Sequence, residues 1–138
     1  MRRVGAPVTG GAKMDSDTFK KGRKIREELL GEDYVSKALD EANDFDRDFQ
    51  EYITECGWGR IWGRDGLTRK QRSLLNLGML TCMGRLPELE LHVGVALPNG
   101  LPKEEIKEVF IHVAGYCGIP AALEGQKVAR KVIEQTGL

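Results

Sequence analysis

Glu88 and His92 stand four residues apart in a segment with helical patterning, so both side chains project from one face. A carboxylate beside an imidazole is a workable proton-transfer unit. It fixes the ring tautomer and stabilises the imidazolium. His92 sits among Leu89, Leu91, Val93 and Ala96, an apolar setting. Glu88 lies in the first turn, where the helix dipole favours an anion. Spacing alone is more commonly that of an ordinary helical Glu–His pair. Arginines stand at hand for binding a carboxylate in bidentate fashion: Arg60 and Arg64, Arg69 and Arg72 three apart, and Arg85 three before Glu88. Any one of them, read singly, solvates a face. Tyr116 is a core residue or a hydroxyl turned to a cavity. His112, between Ile111 and Val113, reads as structural or surface.

The elements that must position these residues read as helices broken by Gly and Pro. Asp15 or Ser16 caps a first helix that runs to about Leu30 and stops at Gly31. A second is expected over Tyr34 to Glu55, with Val35, Leu39, Ala42, Phe45, Phe49, Tyr52 and Ile53 as its buried face. Gly57 to Gly66 holds four glycines, Trp58, Trp62 and two arginines. It reads as an irregular loop pinned by its indoles, lining a pocket, or both. Thr68 caps a third helix to about Gly84, with Leu74, Leu75, Leu77, Met79 and Leu80 inside. Pro87 opens a fourth that ends at Pro98-Asn99-Gly100. Pro102 begins a fifth with the stripe Ile106, Val109, Phe110, Val113 and Cys117. Pro120 begins a sixth. No strand pattern occurs, so the class is all-α, a bundle of about six helices.

The 138 residues suit one domain, taken as 14–138 behind a flexible Gly- and Pro-bearing tail over 1–13. Basic and acidic residues balance at 21 each, which gives no electrostatic case for nucleic acid or an anionic membrane. No run is long enough to span a bilayer, and the start has no secretory h-region. Cys56, Cys82 and Cys117 are widely spaced, with no CxxC and no zinc pattern, and are expected as buried thiols in a reducing cytoplasm. There is no HExxH, and Glu88 with His92 alone is too few for a metal site. A phosphate loop and a GxSxG elbow are also missing.

An ordered set of fragments adds to this reading. It comprises Trp58-Gly59-x-x-Trp62-x-Arg64-x-Gly66-Leu67-Thr68, Arg72-Ser73-Leu74, Gly84-Arg85-x-x-Glu88-Leu89-x-Leu91-His92-Val93, Ala96-Leu97-x-Asn99-Gly100, Glu104-Glu105-Ile106, Glu108-Val109, and Tyr116-x-Gly118-x-Pro120-Ala121-Ala122. Together they resemble the carboxymuconolactone decarboxylase family over about Phe19 to Ile133. The family is similar in fold to alkylhydroperoxidase D, whose redox branch carries CxxCxxxH. Here Arg85, Glu88 and His92 fill those positions, so the histidine is kept and both cysteines are gone. A disulfide-cycling peroxidase is therefore not expected.

The resemblance implies cofactor-independent, metal-free decarboxylation of 4-carboxymuconolactone to the enol-lactone of 3-oxoadipate, in protocatechuate catabolism. The conjugated ring is its own electron sink. It also implies a cytoplasmic homo-oligomer, a trimer or hexamer. His92 is expected to give the proton, oriented by Glu88, with a neutral Glu88 as the variant acid. Arg64, Arg72 and Arg85 are expected to hold carboxylates, and Trp58, Trp62 and Tyr116 to shape the pocket. The alternatives are a family member acting on another lactone or β-keto acid, and a binding or structural member of the fold.

Overall fold

The computed structural model describes residues 16–137. The expected tail over 1–13, and Asp15 as a cap, lie outside the described residues. All regular elements among the described residues are helical: α1 (Asp17–Leu30), α2 (Glu32–Asp40), α3 (Arg47–Tyr52), a π-helix (Ile53–Trp62), α4 (Arg69–Cys82), α5 (Leu86–Ala96), α6 (Lys103–Cys117) and α7 (Ile119–Thr136). They fall into two compact units that meet in the chain between Arg64 and Asp65.

In the first unit Ser16 caps α1, its hydroxyl accepting from the Phe19 amide at 3.0 Å. Phe19, Val35 and Leu39 form a small core. The long second helix expected over Tyr34 to Glu55 is broken after Asp40. Asn43 provides the cause. Its side-chain oxygen accepts from the Phe45 amide at 2.8 Å, and Asp46 accepts from the Asn43 amide at 2.8 Å. These local bonds compete with the helical ladder and turn the chain. The apolar stripe is split as a result. Val35, Leu39 and Ala42 are buried, whereas Phe45 is 95% exposed and Phe49 and Tyr52 are also exposed.

The segment expected as an irregular loop is instead the π-helix, to Trp62. It packs on α1 with almost no side chain between the backbones. A methyl group on Gly22 would run into the Thr54 carbonyl and the Gly59 amide, and one on Gly59 would run into the Thr18 carbonyl. The glycines that argued against a regular element are what permit this one to approach α1. Arg26, buried on α1, grips the start of the π-helix. It donates to Thr54 Oγ1 and to Gln50 Oε1, each at 3.0 Å, and Thr54 donates to the Gln50 carbonyl at 2.7 Å. Burial holds the Arg26 pKa below its ordinary value, partly offset by Tyr34. Gly22→Ala is expected to destabilise the protein by about 1–3 kcal/mol, because overpacking outweighs alanine's helix propensity. Chemical denaturation checks it, and an unchanged or raised midpoint would refute the close approach.

In the second unit Thr68 caps α4 with a full capping box. The Gln71 amide donates to Thr68 Oγ1 at 3.2 Å, and the Thr68 amide donates to Gln71 Oε1 at 2.9 Å. Leu77, Leu89, Val93, Ala96, Leu101, Ile106, Val109, Phe110 and Val113 make the core with Ala122, Ala129 and Val132 of α7. The starts at Pro87, Pro102 and Pro120 stand as expected. The interior of α4 does not. Its buried face is Ser73, Leu77 and Thr81, while Leu74, Leu75 and Met79 are exposed. Those three line an open groove of about 750 Å³ against α6, together with Ile111, His112 and Tyr116.

The cysteines also differ from expectation. Cys82 and Cys117 form a disulfide, with Cα atoms 5.6 Å apart, and both are exposed; Cys56 is free and half-buried. The pair ends α4 and α6, and packing of those two helices brings together thiols 35 residues apart in the chain.

Candidate active site

Glu88 and His92 lie on α5, held in place by fully buried Leu89, Val93 and Ala96 on the same helix. Pro87 stands in the first turn of the helix, directly after Leu86, and Glu88 follows in the same turn. The Glu88 carboxylate accepts from Arg85 Nη2 at 2.9 Å. Its own backbone amide, and then Arg85, hold its pKa below the ordinary carboxylate value. Glu88 is therefore an anion at neutral pH. One of its oxygens, Oε2, is shielded from solvent although the side chain as a whole is partly exposed.

His92 is half-buried. Burial pushes its pKa below the ordinary imidazole value, and the nearby Glu88 charge offsets part of that. Nδ1 faces the side-chain amide nitrogen of Asn76 on α4 at 3.4 Å. Asn99, just past the end of α5, donates from Nδ2 to buried Ser73 Oγ of α4 at 3.0 Å. Arg72 stands four residues before Asn76, on the same side of α4, and is partly buried. The second unit thus gathers Arg85, Glu88, His92 and Asn76 along α4 and α5, with Arg72 one turn away.

A lowered histidine pKa has a consequence for stability. The folded state binds its proton less readily than the unfolded chain does. The contribution is fully present above the unfolded value of about 6.5 and is lost as pH falls through the lower folded value. Stability is expected to decline below about pH 6.5, and His92→Gln to flatten that decline. Urea midpoints at a series of pH values test this, and an unaltered profile in the variant would exclude His92 as the source.

The other expected site residues are placed as follows. Trp58 and Trp62 belong to the π-helix of the first unit. Their rings stack with centroids 5.4 Å apart, and Trp58 is buried. Arg64 is exposed just after that helix, in the same unit. Tyr116 is 83% exposed on α6, stacks on His112 at 4.8 Å, and lines the α4–α6 groove, which does not include His92. Asn76 was not singled out from the sequence. The signal that could have found it is its position one turn beyond Arg72 on a face that carries Arg69 and Arg72.

The model of the carboxymuconolactone decarboxylase family matches residues 47–131. The chain is 38% identical over 124 residues to a 4-carboxymuconolactone decarboxylase of Acinetobacter baylyi, covering 90% of this chain and 92% of that protein. It is 46% identical over 115 residues to the nitrosuccinic acid decarboxylase npaB of Metarhizium robertsii, covering 83% of this chain and 80% of that one. Arg85, Glu88 and His92 all lie within the span matched by the family model. With this match across most of its length, the chain belongs to the carboxymuconolactone decarboxylase family.

Proposed function

We propose that the protein is a carboxy-lyase that converts 4-carboxymuconolactone to the enol-lactone of 3-oxoadipate, as a step of protocatechuate catabolism, without a cofactor. The observation that carries this reading is the near full-length similarity to the Acinetobacter baylyi enzyme. The grouping of Arg85, Glu88, His92 and Asn76 on α4 and α5 is consistent with it.

In this reaction the bond from the ring carbon to its carboxylate breaks. The electron pair moves through the ring alkene onto the lactone carbonyl oxygen, carbon dioxide leaves, and one proton is added to carbon. The protein has to hold a dianion, steady the oxygen that gathers charge, and supply hydrogen. Arg64, Arg72 and Arg85 are the proposed carboxylate holders. His92 and Glu88 are the catalytic pair. The lowered Glu88 pKa supports it as the anionic partner, with His92 as the hydrogen-bearing group. Trp58 and Trp62 are the proposed shield of the substrate against water, and Tyr116, exposed on the α4–α6 groove apart from His92, has no place in that shield.

The working protein is proposed to be a cytoplasmic homo-oligomer, a trimer or hexamer, with residues 14–138 acting as one catalytic domain. Exposed Leu74, Leu75, Met79 and Ile111 support association, since so open an apolar groove is costly on a monomer. Among the described residues no helix is long and apolar enough to cross a membrane.

A second reading takes nitrosuccinate as substrate, favoured by the 46% identity to the Metarhizium robertsii decarboxylase. The two substrates share a logic. Each loses a carboxylate from a carbon conjugated to an electron sink, a lactone carbonyl or a nitro group, and each keeps a second carboxylate for an arginine. An ultraviolet assay with each substrate, without added metal or cofactor, separates the readings. Turnover of the lactone with enol-lactone as product is expected. Turnover of nitrosuccinate alone would replace the first reading with the second.

A further inference from the structure

We propose that Asn76 is a positioning residue that fixes His92 as the Nε2–H tautomer, so that His92 meets the substrate as a neutral hydrogen-bond donor. This rests on the decarboxylase reading and refines the part His92 plays in it.

The geometry is specific about which atoms meet. The Asn76 amide nitrogen faces His92 Nδ1 at 3.4 Å. An amide NH2 group only donates, so Nδ1 must present a lone pair, and the single proton of a neutral ring goes to Nε2. The imidazolium would carry a hydrogen on Nδ1, set against the amide hydrogens, so the same contact disfavours the charged ring. Burial acts in the same direction. Asn76 is itself well placed to hold its aim. It projects from α4 between Ser73 and Leu77, both fully buried, and Ser73 is tied to Asn99 beyond the end of α5. A contact of this length adds little stability, and its effect is the choice between two tautomers that are close in energy in water.

The chemistry follows from the tautomer. A neutral imidazole is a poor source of a full proton from Nε2, since it would leave an imidazolate. It is a good donor to an oxygen that gains negative charge. As the carbon–carboxylate bond breaks, the Nε2–H bond to the carbonyl oxygen shortens and strengthens. Carbon dioxide departs, and the proton that ends on carbon comes from water, leaving hydroxide to be neutralised by buffer. The alternative orientation, with the Asn76 oxygen accepting from Nδ1–H, would accommodate the imidazolium, whose Nε2–H is a true acid. The two orientations are therefore two mechanisms, and the ring nitrogens report which one operates.

The protein has only two histidines, His92 and His112, which makes the measurement tractable. Two-bond proton–nitrogen spectra of the full chain labelled with 15N-histidine, assigned with His112→Gln, give the protonated nitrogen of His92 directly. The expected result at neutral pH is a neutral Nε2–H ring in the parent protein. Asn76→Asp, whose carboxylate only accepts, should place a proton on Nδ1, as the Nδ1–H ring or the imidazolium. Asn76→Leu should relax the ring to a mixture of tautomers, with an intact melting transition. A parent His92 protonated on Nδ1 would overturn the proposal, as would an Asn76→Leu protein with unchanged ring signals. An Asn76-dependent Nε2–H tautomer in a protein that turns over neither substrate would uphold the Asn76 assignment and sink the decarboxylase reading.

Discussion

His92→Ala lowers kcat by about 100- to 1,000-fold with little loss of stability. That is the size expected when one well-placed donor at the reaction centre is removed. His92 is only half-buried, and the packing of α5 rests on Leu89, Val93 and Ala96, which the substitution leaves in place. The expectation covers either role for the ring, full proton donor or hydrogen-bond donor, because both require a hydrogen that alanine lacks. Glu88→Gln should cost less. It keeps the shape and removes the charge that acts on His92 and pairs with Arg85. The measurement is steady-state turnover of 4-carboxymuconolactone, with a thermal melt of the same samples. A folded His92→Ala protein with parental turnover would remove His92 from the active site and return the Glu88–His92 spacing to an ordinary helical pair.

Reduction of the Cys82–Cys117 disulfide lowers stability by about 4 kcal/mol. This follows from the chain entropy regained by an unfolded loop with a sequence separation of 35. Both cysteines are exposed, so a small thiol reaches the bond without prior unfolding. Beside the bond, buried Thr81 packs against Gly125 of α7, and the α4–α6 groove itself is open. Leu74, Leu75, Met79 and Tyr116 along that groove are open to solvent, while the core contacts of α6 come from Ile106, Val109, Phe110 and Val113. Urea unfolding of oxidised and reduced protein checks the figure, with Cys82→Ser as a control that should match the reduced parent. Identical midpoints for the oxidised parent and Cys82→Ser would show that the bond does not form in solution.

The two results bear on different surfaces of the second unit. His92 and Asn76 belong to the packing of α4 on α5, whereas the disulfide, His112 and Tyr116 belong to the packing of α4 on α6. The exposed face of α4 can therefore be altered at Cys82 without touching Asn76. Loss of turnover on reduction would mean coupling through the turn between α4 and α5, where the Arg85 amide donates to the Leu80 carbonyl at 2.9 Å.

Much of this protein was legible before its structure, because the relevant physics is local. Thr68 followed by Gln71 is a capping box wherever the backbone turns helical, and proline at a helix start loses no intrahelical bond. Of the stripe expected on α6, Ile106, Val109, Phe110 and Val113 are buried as its period requires, while Cys117 at the helix end is exposed in its disulfide. Glu88 and His92 share a face because four residues make about one turn. The ordered fragments from Trp58 to Ala122 carried the family as well. What only the structure decided rests mostly on partners remote in the chain, and in one place on local side-chain bonds that periodicity does not register. Periodicity extends a stripe through Phe45 and Phe49, but the competing bonds of Asn43 and Asp46 end the helix and leave those rings in solvent. The glycines of Gly57 to Gly63 signal a loop by composition. They form a π-helix because Gly22 of α1 allows two backbones to meet there. Cys82 finds Cys117, and Asn76 finds His92, only when helices pack, since sequence separation carries no information about which faces will meet.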